Sequence, residues 1–226
     1  MTEITDHLRE IRDRVAHATR SANRTDPVTI VAVSKGQPPA AVDAAWQAGQ
    51  RDFGESYVQE ALPKIAALAG RDIVWHFVGR LQANKTRAVA EAFAWVHTLD
   101  REKLGARLND QRPHYAPPLN ALIQVNLSGE EQKAGAAQEE VPGLARAVLA
   151  MPKLRLRGLM TLPPKDGDAG EWFRRLAALQ ARLRADGIPL DTLSMGMSAD
   201  FEAAIAAGST CVRIGTAIFG ARGTAG

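Results

Sequence analysis

Short runs of apolar and β-branched residues alternate along the chain with longer segments whose apolar positions recur every three or four residues. The short runs fall at 29–34, 51–53, 73–78, 95–99, 120–126, 156–160, 192–195 and 211–214. Several are continuously apolar, as expected of parallel strands covered on both faces. The longer segments carry helical stripes: Ile4, Leu8, Ile11 and Val15; Val141, Leu144, Ala145 and Val148; Trp172, Leu176, Leu179 and Leu183. Asp100 precedes a helix expected over 101–111, and Ser56-Tyr57-Val58-Gln59 reads as a capping box. The Pro-rich stretches 112–118 and 163–168 read as loops, and 222–226 as a frayed end.

Strand–helix alternation predicts right-handed parallel crossovers. About eight strand signals suit one α/β domain over 1–226, a single (β/α)8 TIM-like barrel with an extra N-terminal helix over 4–20. The segment after the last strand, 217–221, is too short for a full helix. The N-terminal helix is therefore expected to cover the wall left bare. A flavodoxin-like open sheet is the competing architecture, and periodicity does not separate the two.

Composition narrows the class without naming a function. With 226 residues, 46% apolar and 23% charged, the chain can bury its own core. The net charge of +3 comes from 28 basic and 25 acidic side chains that interleave, so no nucleic-acid footprint is expected. One cysteine, Cys211, allows neither an intrachain disulfide nor a cysteine zinc site and suits a reducing compartment. The first residues lack signal-peptide character, and no apolar run approaches the roughly 20 residues of a membrane span. A cytoplasmic protein with no membrane partner is the expectation.

Active sites of such barrels lie at the carboxyl ends of the strands, so the residues leaving each strand are the candidates. Lys35 ends the first, very apolar run. Its amine either snorkels to the rim or stays neutral and nucleophilic, able to form an imine with a carbonyl compound. Ser194-Met195-Gly196-Met197-Ser198 leaves the seventh strand. Gly196 permits close backbone approach, and Ser198 can cap a helix starting near Ala199 or bind an anion there. Asp200 and Glu202 compete with such an anion. After the eighth strand, Gly215 and Thr216 offer amides and a hydroxyl, and the loops after strands seven and eight are the usual phosphate site of this architecture. Arg213 suits a phosphate, a carboxylate or a ring nitrogen, or equally a buried ion pair. His76 reads as a core histidine or a ligand contact. Asn84 and Lys85 read as part of a loop opening a helix, and Asn126 and Met160 end strands five and six.

These motifs carry a resemblance. Ala32-Val33-Ser34-Lys35, Phe53-Gly54-Glu55 with Tyr57-Val58-Gln59-Glu60, Trp75-His76-Phe77-Val78-Gly79, and Leu81-Gln82 with Asn84-Lys85 occur in order. Gly158-Leu159-Met160, the 194–198 stretch with Asp200, and Val212-Arg213-Ile214-Gly215-Thr216 with Ile218-Phe219-Gly220 follow. From about residue 5 to 221 the chain resembles the pyridoxal 5′-phosphate (PLP) homeostasis proteins, which are similar to the barrel domain of fold-type III alanine racemases. The resemblance implies PLP as a Schiff base on Lys35 and phosphate contacts from Ser198, Gly215 and Thr216. It also implies Arg213 near the pyridine nitrogen, with Ser56, His76, Asn84, Met160, Met195 and Gly196 completing the cofactor-binding set. Ser56 stands where the family usually has Asn, which removes the amide donors.

A cation at the ring nitrogen disfavours its protonation and weakens the ring as an electron sink. Racemisation also needs a second base, and neither of the two tyrosines, Tyr57 and Tyr115, is an obvious one. The β-domain that supplies that base in the racemases is not expected after residue 221. The leading expectation is a monomeric carrier for PLP homeostasis without substantial turnover. It would exchange PLP with amino acids or PLP-dependent apoenzymes. The alternatives are a PLP-dependent amino-acid racemase, a Schiff-base aldolase without PLP and a pure interaction module.

Overall fold

A computed structural model describes residues 2–130, 134–164 and 167–220. After helix α1 (Thr2–Ser21), strands and helices alternate: β1 (Thr29–Val33), α2 (Pro39–Gln47), β2 (Asp52–Glu55), α3 (Val58–Ala67), β3 (Val74–Phe77), α4 (Thr86–Ala92), β4 (Trp95–Leu99) and α5 (Glu102–Gln111). Then come β5 (Leu119–Asn126), β6 (Ala136–Ala137), α6 (Val141–Leu149), β7 (Leu154–Met160), α7 (Ala169–Ala185), β8 (Thr192–Ser194), α8 (Phe201–Ala206), β9 (Cys211–Ile214) and α9 (Thr216–Phe219). A 3-10 turn, Ala83–Lys85, sits ahead of α4.

All strand pairs are parallel, and the ring runs β1-β2-β3-β4-β5-β7-β8-β9. Pairing of β9 back onto β1, with Val31 opposite Arg213, closes it. This is the expected (β/α)8 barrel, and the competing open sheet is excluded because it would leave β1 and β9 unjoined. The two-residue β6 lies outside the ring, on β5, and has no apolar run to announce it. No helix among the described residues is long and apolar enough to cross a membrane.

Alternation along the strands sorts side chains into two environments. Ala32, Phe53, Leu193, Val212 and Ile214 join the apolar layer between strands and helices. Val31, Asp52, His76, Ser194 and Arg213 point into the barrel. Helix α1 buries Leu8, Ile11 and Val15 and packs against α2, α8 and α9. His7 Nδ1 lies 3.0 Å from Ile218 O. The N-terminal helix thus covers the wall that four-residue α9 is too short to cover. The last residue expected in that helix, Ala221, and the tail 222–226 lie outside the described residues, as do residues 165–166 of the expected 163–168 loop.

Three helix starts differ from expectation. Ser56 does not cap α3, because β2 continues pairing with β3 through Glu55 and pushes the cap to Tyr57. Asp100 does not cap α5, because the helix starts one residue later than expected, at Glu102, with extended Arg101 at the cap. Ser198 does not cap α8, which starts at Phe201 with Asp200 at the cap; Asp200 Oδ1 instead accepts a hydrogen bond from Met197 N at 2.6 Å.

Gly158 is set by close approach. A Cβ there would meet Thr192 O of β8 at 1.7 Å. Gly158→Ala is therefore expected to spread the β7–β8 pair and cost about 1–3 kcal/mol or more. A urea unfolding midpoint unchanged from wild type would contradict this.

Candidate functional site

The carboxyl ends of β1, β8 and β9 converge on one side of the mouth. Lys35 follows β1 in phase with the inward-facing Val31 and Val33. Gln37 N–H donates to Ser34 O at 3.0 Å, and Gly36 holds φ +75°, which is the arrangement of a type II turn with Lys35 at its first central position. Lys35 is half-buried and lines a small cavity with Val33, Gln37, Gly215, Thr216, Phe219 and Gly220. The Thr216 hydroxyl donates to Ser198 Oγ at 3.3 Å, which brings the β8 and β9 loops together. Gly215 lies against β1, where a Cβ would come within 3.3 Å of Val33 O. Gly196, at φ +96°, lies against α8, where a Cβ would meet Ala204 Cβ at 2.7 Å and Phe201 Cα at 2.9 Å. Only glycine lets that loop turn so tightly.

Arg213 is 5% exposed. Its guanidinium donates to Ser194 Oγ at 2.6 Å and to Thr161 O, just past β7, at 3.0 Å. Among the described residues it has no carboxylate partner in contact, so it is not the ordinary buried ion pair. Met160 is fully buried on the same side, opposite Ser194 in the β7–β8 register.

Three expected contacts, and the strand-end residue Asn126, are placed away from the mouth. Met195 packs into the outer apolar layer, because its neighbour Ser194 takes the inward position and alternate residues face opposite ways. His76 is buried in the barrel but leans to the far end, where Nε2 meets Asp52 Oδ1 at 3.0 Å. Together with Asp52, Trp95 and Thr192 it lines a cavity at the amino ends of the strands. Asn84 is exposed on the 3-10 turn. Asn126 is turned into its own loop, with Nδ2 donating to Glu130 O at 2.9 Å.

The sequence reading missed the brace behind Lys35. Lys64 of α3, 3% exposed, donates to Ser34 O at 2.8 Å, Glu55 Oε1 at 2.6 Å and Glu60 Oε1 at 3.0 Å. Glu55 also accepts from Ser34 Oγ at 2.6 Å, and Glu60 accepts from Gly36 N. Both neighbours of Lys35 are thereby tied to one buried cluster. The only sequence signal was Glu60 and Lys64 at i, i+4.

Comparison with known proteins agrees with this geometry. The closed parallel barrel with its chemistry at the strand ends is of the alanine racemase class, and the family model "Alanine racemase, N-terminal domain" matches residues 7–223. A pyridoxal phosphate homeostasis protein of Pseudomonas aeruginosa is 51% identical over 224 residues, covering 98% of this chain and 97% of that one. Its counterpart in Escherichia coli K12 is 50% identical over 229 residues, with 98% of each covered. PipY of Synechococcus elongatus, solved without PLP and with PLP bound, superposes with TM-score 0.85 at 34% identity, covering 96% of this chain and 100% of that one. The chain belongs to the pyridoxal phosphate homeostasis protein family.

The brace makes a prediction. Burial holds the Glu55 carboxyl above its ordinary value, although hydrogen bonds from Lys64 and Ser34 act against it. Lys64→Met leaves that carboxylate buried without its cation, which costs about 3–5 kcal/mol at neutral pH. A carboxyl raised in the folded state stabilises the fold most below its unfolded value and loses that contribution as pH rises through the folded value. Removing Lys64 raises Glu55 further, so the deficit against wild type shrinks as pH falls toward the ordinary carboxylate range. Urea titrations of both proteins across pH check this; a pH-independent deficit would refute it.

Proposed function

We propose that this protein is a PLP carrier that holds PLP at the barrel mouth as a Schiff base on Lys35. The observation that carries the reading is the single cavity joining Lys35 to Gly215 and Thr216. A lysine amine, two adjoining hydroxyls and glycine-lined turns suit an aldehyde with a phosphate tail. Homology supports the same ligand, since PipY is solved with PLP bound.

When bound, PLP supplies an electron-poor ring conjugated to the imine. Lys35 contributes the amine, and the type II turn with its Lys64 brace presents it inward. Ser198, Thr216 and the backbone around Gly215 would form the phosphate end. Gly196 lets the β8 loop pass closely, and Met160 packs beneath. Ser56 follows Asp52 and Gly54 in the inward phase of β2 and stands beside the mouth. Arg213 would offer a cationic donor to the ring nitrogen and would disfavour protonation of that nitrogen by charge repulsion. His76, Met195 and Asn84 are left out of the contact set on the geometry above.

The carrier reading, rather than a racemase, is favoured by the tyrosines. Tyr57 is 61% and Tyr115 81% exposed, so neither stands inside the barrel as a second base. Cytoplasmic monomers would exchange PLP with amino acids or PLP-dependent apoenzymes. Cys211 takes no part, because burial pushes its thiol up to about 11.

The test compares wild type with Lys35→Ala. Wild type reconstituted with PLP is expected to show a visible imine band and, after borohydride, a pyridoxyl adduct on Lys35. The variant is expected to lose both while unfolding at the same urea midpoint. A band that survives in Lys35→Ala, or an adduct on another lysine, would refute the attachment. Steady α-deuterium exchange of an amino acid by wild type would refute the absence of turnover.

A further inference from the structure

The barrel interior contains a continuous file of polar side chains, of which only Arg213 has a role in the PLP reading. Asp52 Oδ1 lies 3.0 Å from His76 Nε2 at the amino end of the barrel. His76 Nδ1 lies 2.9 Å from His97 Nε2, and His97 Nδ1 lies 2.9 Å from Ser194 Oγ. Ser194 Oγ in turn accepts from Arg213 Nη1 at 2.6 Å. His97 and Ser194 are fully buried, and His76 is 1% exposed. Trp95 stacks on His76 at 5.4 Å and 10°.

Proton placement in this file follows from its ends. A guanidinium only donates, and a carboxylate only accepts. His76 Nε2 must carry hydrogen to meet Asp52. A neutral His76 then accepts at Nδ1, so His97 donates from Nε2. A neutral His97 accepts at Nδ1, so the Ser194 hydroxyl donates there and its oxygen receives Arg213. Every bond points the same way. Burial favours the neutral rings, and it holds both imidazoles below their ordinary value, His97 furthest.

We propose that Asp52 is a remote counter-charge of Arg213, additional to Asp200 at the mouth, reached through a one-way hydrogen-bond chain Arg213→Ser194→His97→His76→Asp52 along the barrel axis. In this arrangement Ser194 and His97 are positioning residues that aim the guanidinium. Asp200 favours the charged guanidinium without contacting it, a buried cation without a contacting anion is costly, and polarised hydrogen bonds that relay it to a half-exposed carboxylate at the far end lower that cost further. The chain also explains why the motif histidine His76 is inside the barrel yet away from the mouth.

The cofactor arm of the test rests on the PLP reading; the first arm does not. Long-range nitrogen–proton NMR of histidine-labelled protein without PLP, near neutral pH, is expected to show His76 and His97 as single neutral tautomers. Both should carry hydrogen on Nε2. An imidazolium at either position, or hydrogen on Nδ1 of either ring, overturns the chain. Ser194→Ala removes the donor to His97 and one acceptor of Arg213. It is expected to give His97 a tautomer mixture and to weaken PLP binding roughly tenfold to a hundredfold. Unchanged PLP affinity in a folded Ser194→Ala overturns the positioning role. Failure of wild type to bind PLP at all would remove the carrier reading and the positioning role, while leaving the tautomer result to decide the chain.

Discussion

Pairing of β1 with β9 is the constraint on which the mouth depends. With Val31 opposite Arg213 and Ala32 opposite Ile214, the turn after β1 and the loop after β9 leave the barrel side by side. Residues about 180 apart in sequence then share one cavity. An open sheet built from the same strands would place Lys35 and Gly215 at separate points along its edge. Closure also explains α1, because a ring has a wall to cover after its last strand, and α9 is too short to cover it.

Two buried cations lie near this mouth, and the fold treats them differently. Lys64, outside the strand ring, contacts two carboxylates and a carbonyl and spends its hydrogen bonds bracing the residues on either side of Lys35. Among the described residues, Arg213, inside the ring, donates to two neutral acceptors, a hydroxyl and a carbonyl. The first arrangement is saturated and serves to hold a backbone in place. The second leaves donor capacity for a ligand, because a guanidinium carries five N–H groups and only two contacts are made here. The difference follows from layer: Lys64 reaches its partners from a helix, whereas Arg213 shares a narrow interior with the side chains of neighbouring strands.

Much of this was legible in order along the chain. Continuous apolar runs marked the parallel strands, and the residues leaving them marked Lys35, Gly196, Gly215 and Thr216. The boundaries that slipped did so where pairing outlasted the local signal, as when β2 ran through Glu55 and displaced Ser56 from the cap. Met195 and His76 were misplaced for a related reason. A motif gives neighbours in sequence, but the pleat sends adjacent residues to opposite faces, and a ring that leans along the barrel axis can serve either end.

Sequence by itself determined the alternation of parallel strands and helices, the strand ends that carry chemistry and the family resemblance, because periodicity, glycine placement and motif order are properties of a linear chain, whereas closure of the strands into a ring rests on the β9–β1 pairing. Only the tertiary structure decided which polar groups share a space. Glu55 and Lys64 form a brace, and Asp52, His76, His97, Ser194 and Arg213 form an axial file. Their partners come from separate strands and helices, and hydrogen bonding at about 3 Å depends on register and closure that no local pattern encodes.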